Sequence, residues 1–160
     1  MLTIEKKTLK VGKFVNTEHV DTVIRNYKQE RWVHNSKHIG KEDSLSAWMS
    51  IEELEEFLAK AKDCGGDGVR VYFAAYSHDY QEQPLYAGRQ TIVLVGTKYK
   101  EHEQGIAAHK DIYVDGEDGN TILAYNSTMI CPPFCKPKTA DGDDLGIGIV
   151  DRGEDGMVVI

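Results

Sequence analysis

The chain is poor in the residues that staple, punctuate or charge a protein in a telling way. It has three cysteines, four prolines and two tryptophans in 160 residues. Three thiols are too few, and odd in number, for a disulfide scaffold. No apolar run approaches the ~20 residues of a membrane span, and Met1-Leu2-Thr3-Ile4-Glu5-Lys6-Lys7 holds no apolar signal core. A reducing, cytoplasmic setting is therefore expected. Basic residues are also in deficit: 19 Lys and Arg stand against 26 Asp and Glu, a net charge of −7. No basic cluster is present to release counterions, which argues against nucleic acid as a partner. The familiar phosphate and nucleophile motifs are missing too. No Gly-x-Gly-x-x-Gly follows a strand, and there is no Walker-type Gly-Lys-Ser/Thr and no Gly-x-Ser-x-Gly elbow. No internal repeat or low-complexity tract is visible.

What is there begins with a well-signalled helix. Ser50 has N-cap chemistry, Glu53 stands at the capping-box position, and Met49 and Leu54 have hydrophobic-staple spacing. Ile51, Leu54, Leu58 and Ala61 form an apolar stripe with Phe57 beside it, predicting a helix over 50–64 that docks this stripe on a sheet. The glutamates of the first turn and Lys60 and Lys62 near the end match the helix dipole. Gly65 suits the left-handed position that stops the helix. Gly65-Gly66-Asp67-Gly68 then turns into a strand over 69–76.

Thr17 starts another helix, with Val20, Val23, Ile24 and Tyr27 on one face and Asp21 and Arg25 as an i, i+4 pair. It ends between Trp32 and Gly40. Residues 2–15 read as a strand or hairpin, 40–47 as a polar connection, and 77–89 as a long loop of functional or mobile character. Thr91 to Val95 is apolar on both faces and predicts a central strand. Asp111 to Val114 and Thr121 to Asn126 flank a turn and predict a hairpin. Residues 101–108 and 131–144 read as loops. Leu145 to Val150 and Met157 to Ile160 predict a last hairpin or a loosely held tail spanning 136–160. The whole is expected to be one domain over 1–160. Its class is α+β, a mainly antiparallel sheet with two or three helices packed on one face.

Two sets of residues carry candidate chemistry. Arg70, Tyr72 and Tyr76 alternate along the 69–76 strand and would share one face, with His78 and Arg89 in the following loop. Arginine with tyrosines suits anions, aromatics or protein surfaces. The plainer alternative is that the tyrosines pack under a helix with satisfied hydroxyls. The second set is Cys131-Pro132-Pro133-Phe134-Cys135. An extended Pro-Pro segment would hold the two Cα atoms roughly 12 Å apart, whereas a disulfide needs ~5.5 Å. The pair reads first as two unlinked, reduced thiols, with a disulfide or a soft-metal site as alternatives that require the segment to turn. His34 and His38, four residues apart, could complete a Cys2His2 zinc set with Cys131 and Cys135. No cofactor is otherwise expected. The Asp-rich turns depart from the EF-hand pattern and read as hairpin turns.

Trp48-Met49-Ser50-Ile51-Glu52-Glu53-Leu54, Gly68-Val69-Arg70-Val71-Tyr72-Phe73 and Cys131-Pro132-Pro133-Phe134-Cys135 together resemble a group of small uncharacterised bacterial proteins, most often seen in Bacteroidota. The resemblance covers roughly residues 48–135. It implies a bacterial, cytoplasmic protein and carries no activity. The functional expectation is a non-catalytic binding or interaction module, meeting a protein partner, a basic one in particular, or a small ligand, with no nucleic acid and no membrane. A small enzyme or metal protein using the Arg70/Tyr72/Tyr76/His78 face or the Cys131/Cys135 loop is the alternative.

Overall fold

A single long strand organises the molecule. The computed structural model describes residues 10–101, 107–134, 143–144, 149–151 and 157–159. The elements run α1 (Thr17–Tyr27), a π-helical turn (Lys28–Trp32), α2 (Val33–Ile39), β1 (Ser46–Trp48), α3 (Ile51–Asp63) and β2 (Gly68–Ala75). A 3-10 turn (Pro84–Tyr86), β3 (Gln90–Glu101), β4 (Ala107–Asp111), β5 (Tyr113–Gly116) and β6 (Gly119–Ile122) follow. The chain continues through β7 (Ala124–Tyr125), β8 (Met129–Cys131), β9 (Asp143–Asp144), β10 (Ile149–Asp151) and β11 (Met157–Val159).

β3 pairs along one edge with β2, from Gly68↔Thr97 to Ala75↔Gln90. Its other edge is shared by β4 and β7. Smaller pairings join β1 to β8, β5 to β6, and β10 to β9 and β11. Every pairing is antiparallel. The fold is α+β. Among the described residues no helix is long and apolar enough to cross a membrane.

The faces of the sheet follow from the register. Val69, Val71 and Phe73 lie opposite Gly96, Leu94 and Ile92, so these six residues share one face. A Cβ built on Gly96 would stand 3.3 Å from the Ala61 methyl, which places α3 on this face. Phe73 and Ile92 also border Val23, Ile24 and Tyr27 of α1, so the helices lie on one side.

α3 forms as its capping signals predict. The Ser50 hydroxyl accepts from the Glu53 amide at 3.0 Å, and the Glu53 carboxylate accepts from the Ser50 amide at 2.8 Å. Its docking face overlaps the predicted stripe at Ala61 and half-buried Leu54, takes in Phe57 beside it, and departs from it at Ile51 and Leu58. Phe57 and Ala61 are the buried residues, whereas Ile51 is 77% and Leu58 39% exposed. The rotation follows from Tyr125, whose ring lies 6.2 Å from that of Phe57 and whose hydroxyl donates to Glu53. A partner for each end of that face fixes the helix more firmly than the Ile51/Leu58 stripe, which meets no such ring.

α1 starts at Thr17, with Asn16 accepting from the His19 amide at 2.9 Å, and Asp21 pairs with Arg25 at 2.9 Å. Gly40 ends α2 in the left-handed conformation, φ 72°. The predicted strand over 2–15 is absent where it can be followed: residues 10–16 form no strand and Val11 is exposed, while residues 1–9 lie outside the described residues. The 101–108 loop is shorter than predicted, because β4 begins at Ala107. The chain's last strands do pair, β10 with β11. Three short strands had no forecast. β1 and β8 are three residues each, too short to show a period, and β9 is two residues long, within the segment read as a loop.

Phe57→Ala is expected to cost about 3–5 kcal/mol, Ser50→Ala about 1 kcal/mol, and Ile51→Ala almost nothing, as read from midpoints in denaturant titration. Tyr125, then the Ser50 amide and hydroxyl, hold the Glu53 carboxyl below its usual value. A depressed carboxylate contributes stability above its unfolded pKa and loses that contribution as pH falls through the folded one. Wild type and Glu53→Gln should thus differ in stability at neutral pH, and the difference should shrink as pH falls below the ordinary glutamate range.

Candidate functional site

The polar connection at 41–44 is densely hydrogen-bonded to the helical arm and to β3. The Trp32 indole nitrogen donates to the Asp43 carbonyl at 2.7 Å. The Asp43 amide donates to the Ser36 hydroxyl at 2.9 Å. Asp43 Oδ1 accepts from two amides, Ser44 at 2.8 Å and Gln90 at 2.6 Å. The Ser44 hydroxyl donates to the Gln90 carbonyl, and the Tyr27 hydroxyl donates to the Gln90 side chain. Asp43 is 3% exposed. One aspartate thereby ties the helical arm to the first residue of β3. Burial and the Asp43 charge, in that order, raise the Tyr27 pKa, which keeps its donating proton in place.

The arm does not close onto the sheet, and a groove of two chambers is left between them. The first, about 290 Å³, is apolar, with Val23, Ile24 and Tyr27 of α1 facing Ala47, Phe73 and Ile92. The second, about 500 Å³, is polar, with Asn35 and His38 of α2 facing Asp43, His78 and Gln90. Phe73 and Gln90 line both. The Phe73 ring is 84% exposed at their junction, although its strand neighbours Arg70 and Ala74 are half-buried.

The expected Arg70/Tyr72/Tyr76/His78/Arg89 set is divided among three places. Arg70 Nη1 pairs with Asp111 and its Nη2 donates to the His109 carbonyl at 2.8 Å. The Tyr72 hydroxyl donates to the other Asp111 oxygen at 2.6 Å. The tyrosine hydrogen bond and the Asp111 charge raise the Arg70 pKa. This cross-strand cluster uses the arginine fork internally. It stands about 16 Å along β2 from Ala75.

Tyr76 is 9% exposed and belongs to the core with Tyr86 and Ile130. Its ring stacks 4.5 Å from Tyr80 and 5.4 Å from Tyr86, and its hydroxyl donates to Asn126 at 3.1 Å. The tyrosine therefore packs under the 77–89 loop, not under a helix. Arg89 is 8% exposed, its Nε donating to Leu85 O at 2.9 Å and its Nη1 to Glu42 O. Burial lowers its pKa, and the Asp43 and Glu42 charges oppose that. His78 reaches the polar chamber, where its ring would stand 3.1 Å from a Cβ on Gly88. The loop between them is closed at its base by Tyr76 N to Arg89 O and Gly88 N to Ser77 O. It is an ordered Ω-type loop packed by its own tyrosines.

Cys131 is buried and disulfide-bonded, while Cys64 is free. This corrects the reading of unlinked, reduced thiols. The segment turns instead of running extended: the Phe134 amide donates back to Ile130 O at 3.1 Å, and the Cys131-Pro132 and Pro132-Pro133 bonds are cis. Cys135 lies outside the described residues. Among the described residues no group of three or more His, Cys, Asp or Glu is placed to hold a metal. His34 is exposed on α2, and His38 faces the polar chamber.

Asp43 had no signal in the sequence, since a lone aspartate in Lys41-Glu42-Asp43-Ser44 looks like any loop acid. Phe73 lies on the apolar face of β2 beside Ile92, where alternation alone would bury it.

Comparison with known proteins finds no matching family model, no matching curated protein and no matching solved structure.

Asp43→Ala is expected to destabilise the protein by about 1–3 kcal/mol, because it strands two buried amides. Hydrogen exchange should then show earlier opening of 17–44 than of β2 and β3. Thiol titration of protein unfolded without reductant should give one reactive thiol, and three of the chain's three cysteines after reduction.

Proposed function

We propose that this protein is a non-catalytic binding module, bacterial and cytoplasmic, that holds a protein partner or small ligand in the groove between the helical arm and the sheet. The carrying observation is Phe73, a large apolar side chain left open to solvent where an apolar and a polar chamber meet. A rigid aromatic at the centre of a groove is the usual form of a binding anchor. The groove also has the mixed character of ligand sites, apolar surface with a few convergent polar groups. The Arg70/Tyr72 face supports binding less well, because Asp111 and the His109 carbonyl already occupy the guanidinium. In a cytoplasmic setting the Cys131 disulfide is a transient one, since glutathione returns such bonds to thiols.

The test compares immobilised wild type, Phe73→Ala and Arg70→Ala in capturing one stoichiometric partner from the source cells. Wild type and Arg70→Ala should retain it and Phe73→Ala should lose it. The opposite pattern would transfer binding to the Arg70/Tyr72 face. One zinc per chain in protein purified without chelator would instead favour the metal-protein alternative.

A further inference from the structure

We infer that the polar chamber receives a lysine side chain of the partner, with the neighbouring apolar residue of the same peptide seated in the apolar chamber. The inference rests on the groove being the binding surface and specifies what enters it. Three observations carry it.

The first is the half-used carboxylate of Asp43. Oδ1 accepts from the Ser44 and Gln90 amides. Oδ2 accepts from none of the described residues. Among the described residues, the one sealed side-chain nitrogen or oxygen without a partner is Thr128 Oγ1, so Asp43 Oδ2 is not sealed. Asp43 lines the polar chamber, and Oδ2 is its one carboxylate oxygen with no donor among the described residues. A carboxylate in a nearly buried site attracts a cation more strongly than one in water.

The second is the shape of what remains. One free oxygen cannot accept the two parallel bonds of a guanidinium fork. It suits the compact ammonium of lysine, a point charge with three donors. The Phe73 ring at the chamber mouth can cover the lysine stem or meet the ammonium face-on. The carbonyl and amide oxygens of Gln90 and Asn35 are differently placed: Gln90 Oε1 already accepts from Tyr27, so Asp43 is the anionic acceptor there.

The third is continuity and charge. Phe73 and Gln90 belong to both chambers, so a ligand that fills one passes into the other. Val23, Ile24, Tyr27 and Ile92 offer an apolar site for the adjoining residue. The chain carries −7 overall, which raises the local concentration of a basic segment before it docks.

The probes are three fluorescent hexapeptides, identical except that lysine, arginine or norleucine precedes two leucines. Binding is read by anisotropy and the site by backbone-amide NMR shifts. The lysine peptide should bind about tenfold more tightly than the norleucine peptide, the size of one charge-assisted hydrogen bond. Asp43→Asn keeps a carbonyl oxygen for the Ser44 and Gln90 amides, and should erase that difference. Wild-type norleucine binding equal to lysine, or arginine binding as tight as lysine, overturns the lysine assignment while shifts at Ala47, Phe73 and Ile92 still uphold the groove. Shifts confined to residues away from the groove, or none with any peptide, overturn both. Should Asp43→Asn fail to fold, the lysine-to-norleucine ratio on wild type decides alone.

Discussion

A buried aspartate holds this molecule in its shape. Asp43 uses its amide, its carbonyl and one carboxylate oxygen to bind Ser36, Trp32, Ser44 and Gln90. No residue of α1 or α2 is fully buried, so the arm has little hydrophobic hold of its own. Its position therefore depends on polar contacts, and these are strong because they are shielded from water. Gln90, which they meet, is also the first residue of β3. The knot and the sheet thus share a residue, and a strand that pairs with β2, β4 and β7 gives the knot a rigid base.

The groove follows from the same division of labour. An arm held by apolar packing would press its side chains onto the sheet and close over Phe73. This arm is held by the polar contacts around Asp43 and Gln90 and by β11 against α1, and it leaves Phe73 uncovered. The buried core gathers elsewhere, around Tyr76, Tyr86 and Ile130 on one side and Phe57 and Ala61 on the other. What lies between them is apolar enough to bind and open enough to be reached.

Legibility in the sequence divided along the range of the interactions. α3 and its capping box are local, involving residues three apart, and both were readable from Ser50 and Glu53. β2, β3 and the β5–β6 hairpin were readable from alternation and turn residues. The docking face of α3 was readable in part: Ala61 and Leu54 of the predicted stripe turn inward, but Phe57 and Leu58 are equally apolar and Tyr125, far along the chain, chooses between them. The site failed for the same reason. Alternation placed Arg70, Tyr72 and Tyr76 together, but Tyr76 lies just past the end of β2 and is claimed by Tyr80, Tyr86 and Asn126. Asp43 works through partners up to 47 positions away, and no spacing rule sees that. Of the Pro-Pro segment, the sequence stated the geometric condition for closure and not whether it was met.

The π-helical turn between α1 and α2 has a bearing on how this chain can vary. The Val33 amide there reaches back to Lys28, one residue further than in an α-helix. Such a turn accommodates one extra residue without breaking the helix. Loss of one residue between 28 and 32 would therefore restore ordinary winding and leave the residues on either side facing nearly as they do now. Asn35 and His38 would keep the polar chamber, and Ser36 the Asp43 amide. Val23, Ile24 and Tyr27, which precede the turn, would stay where they are. Both halves of the groove are therefore indifferent to the loss of that one residue. Homologous chains one residue shorter here would keep both chambers, and a second loss would be the one to turn α2.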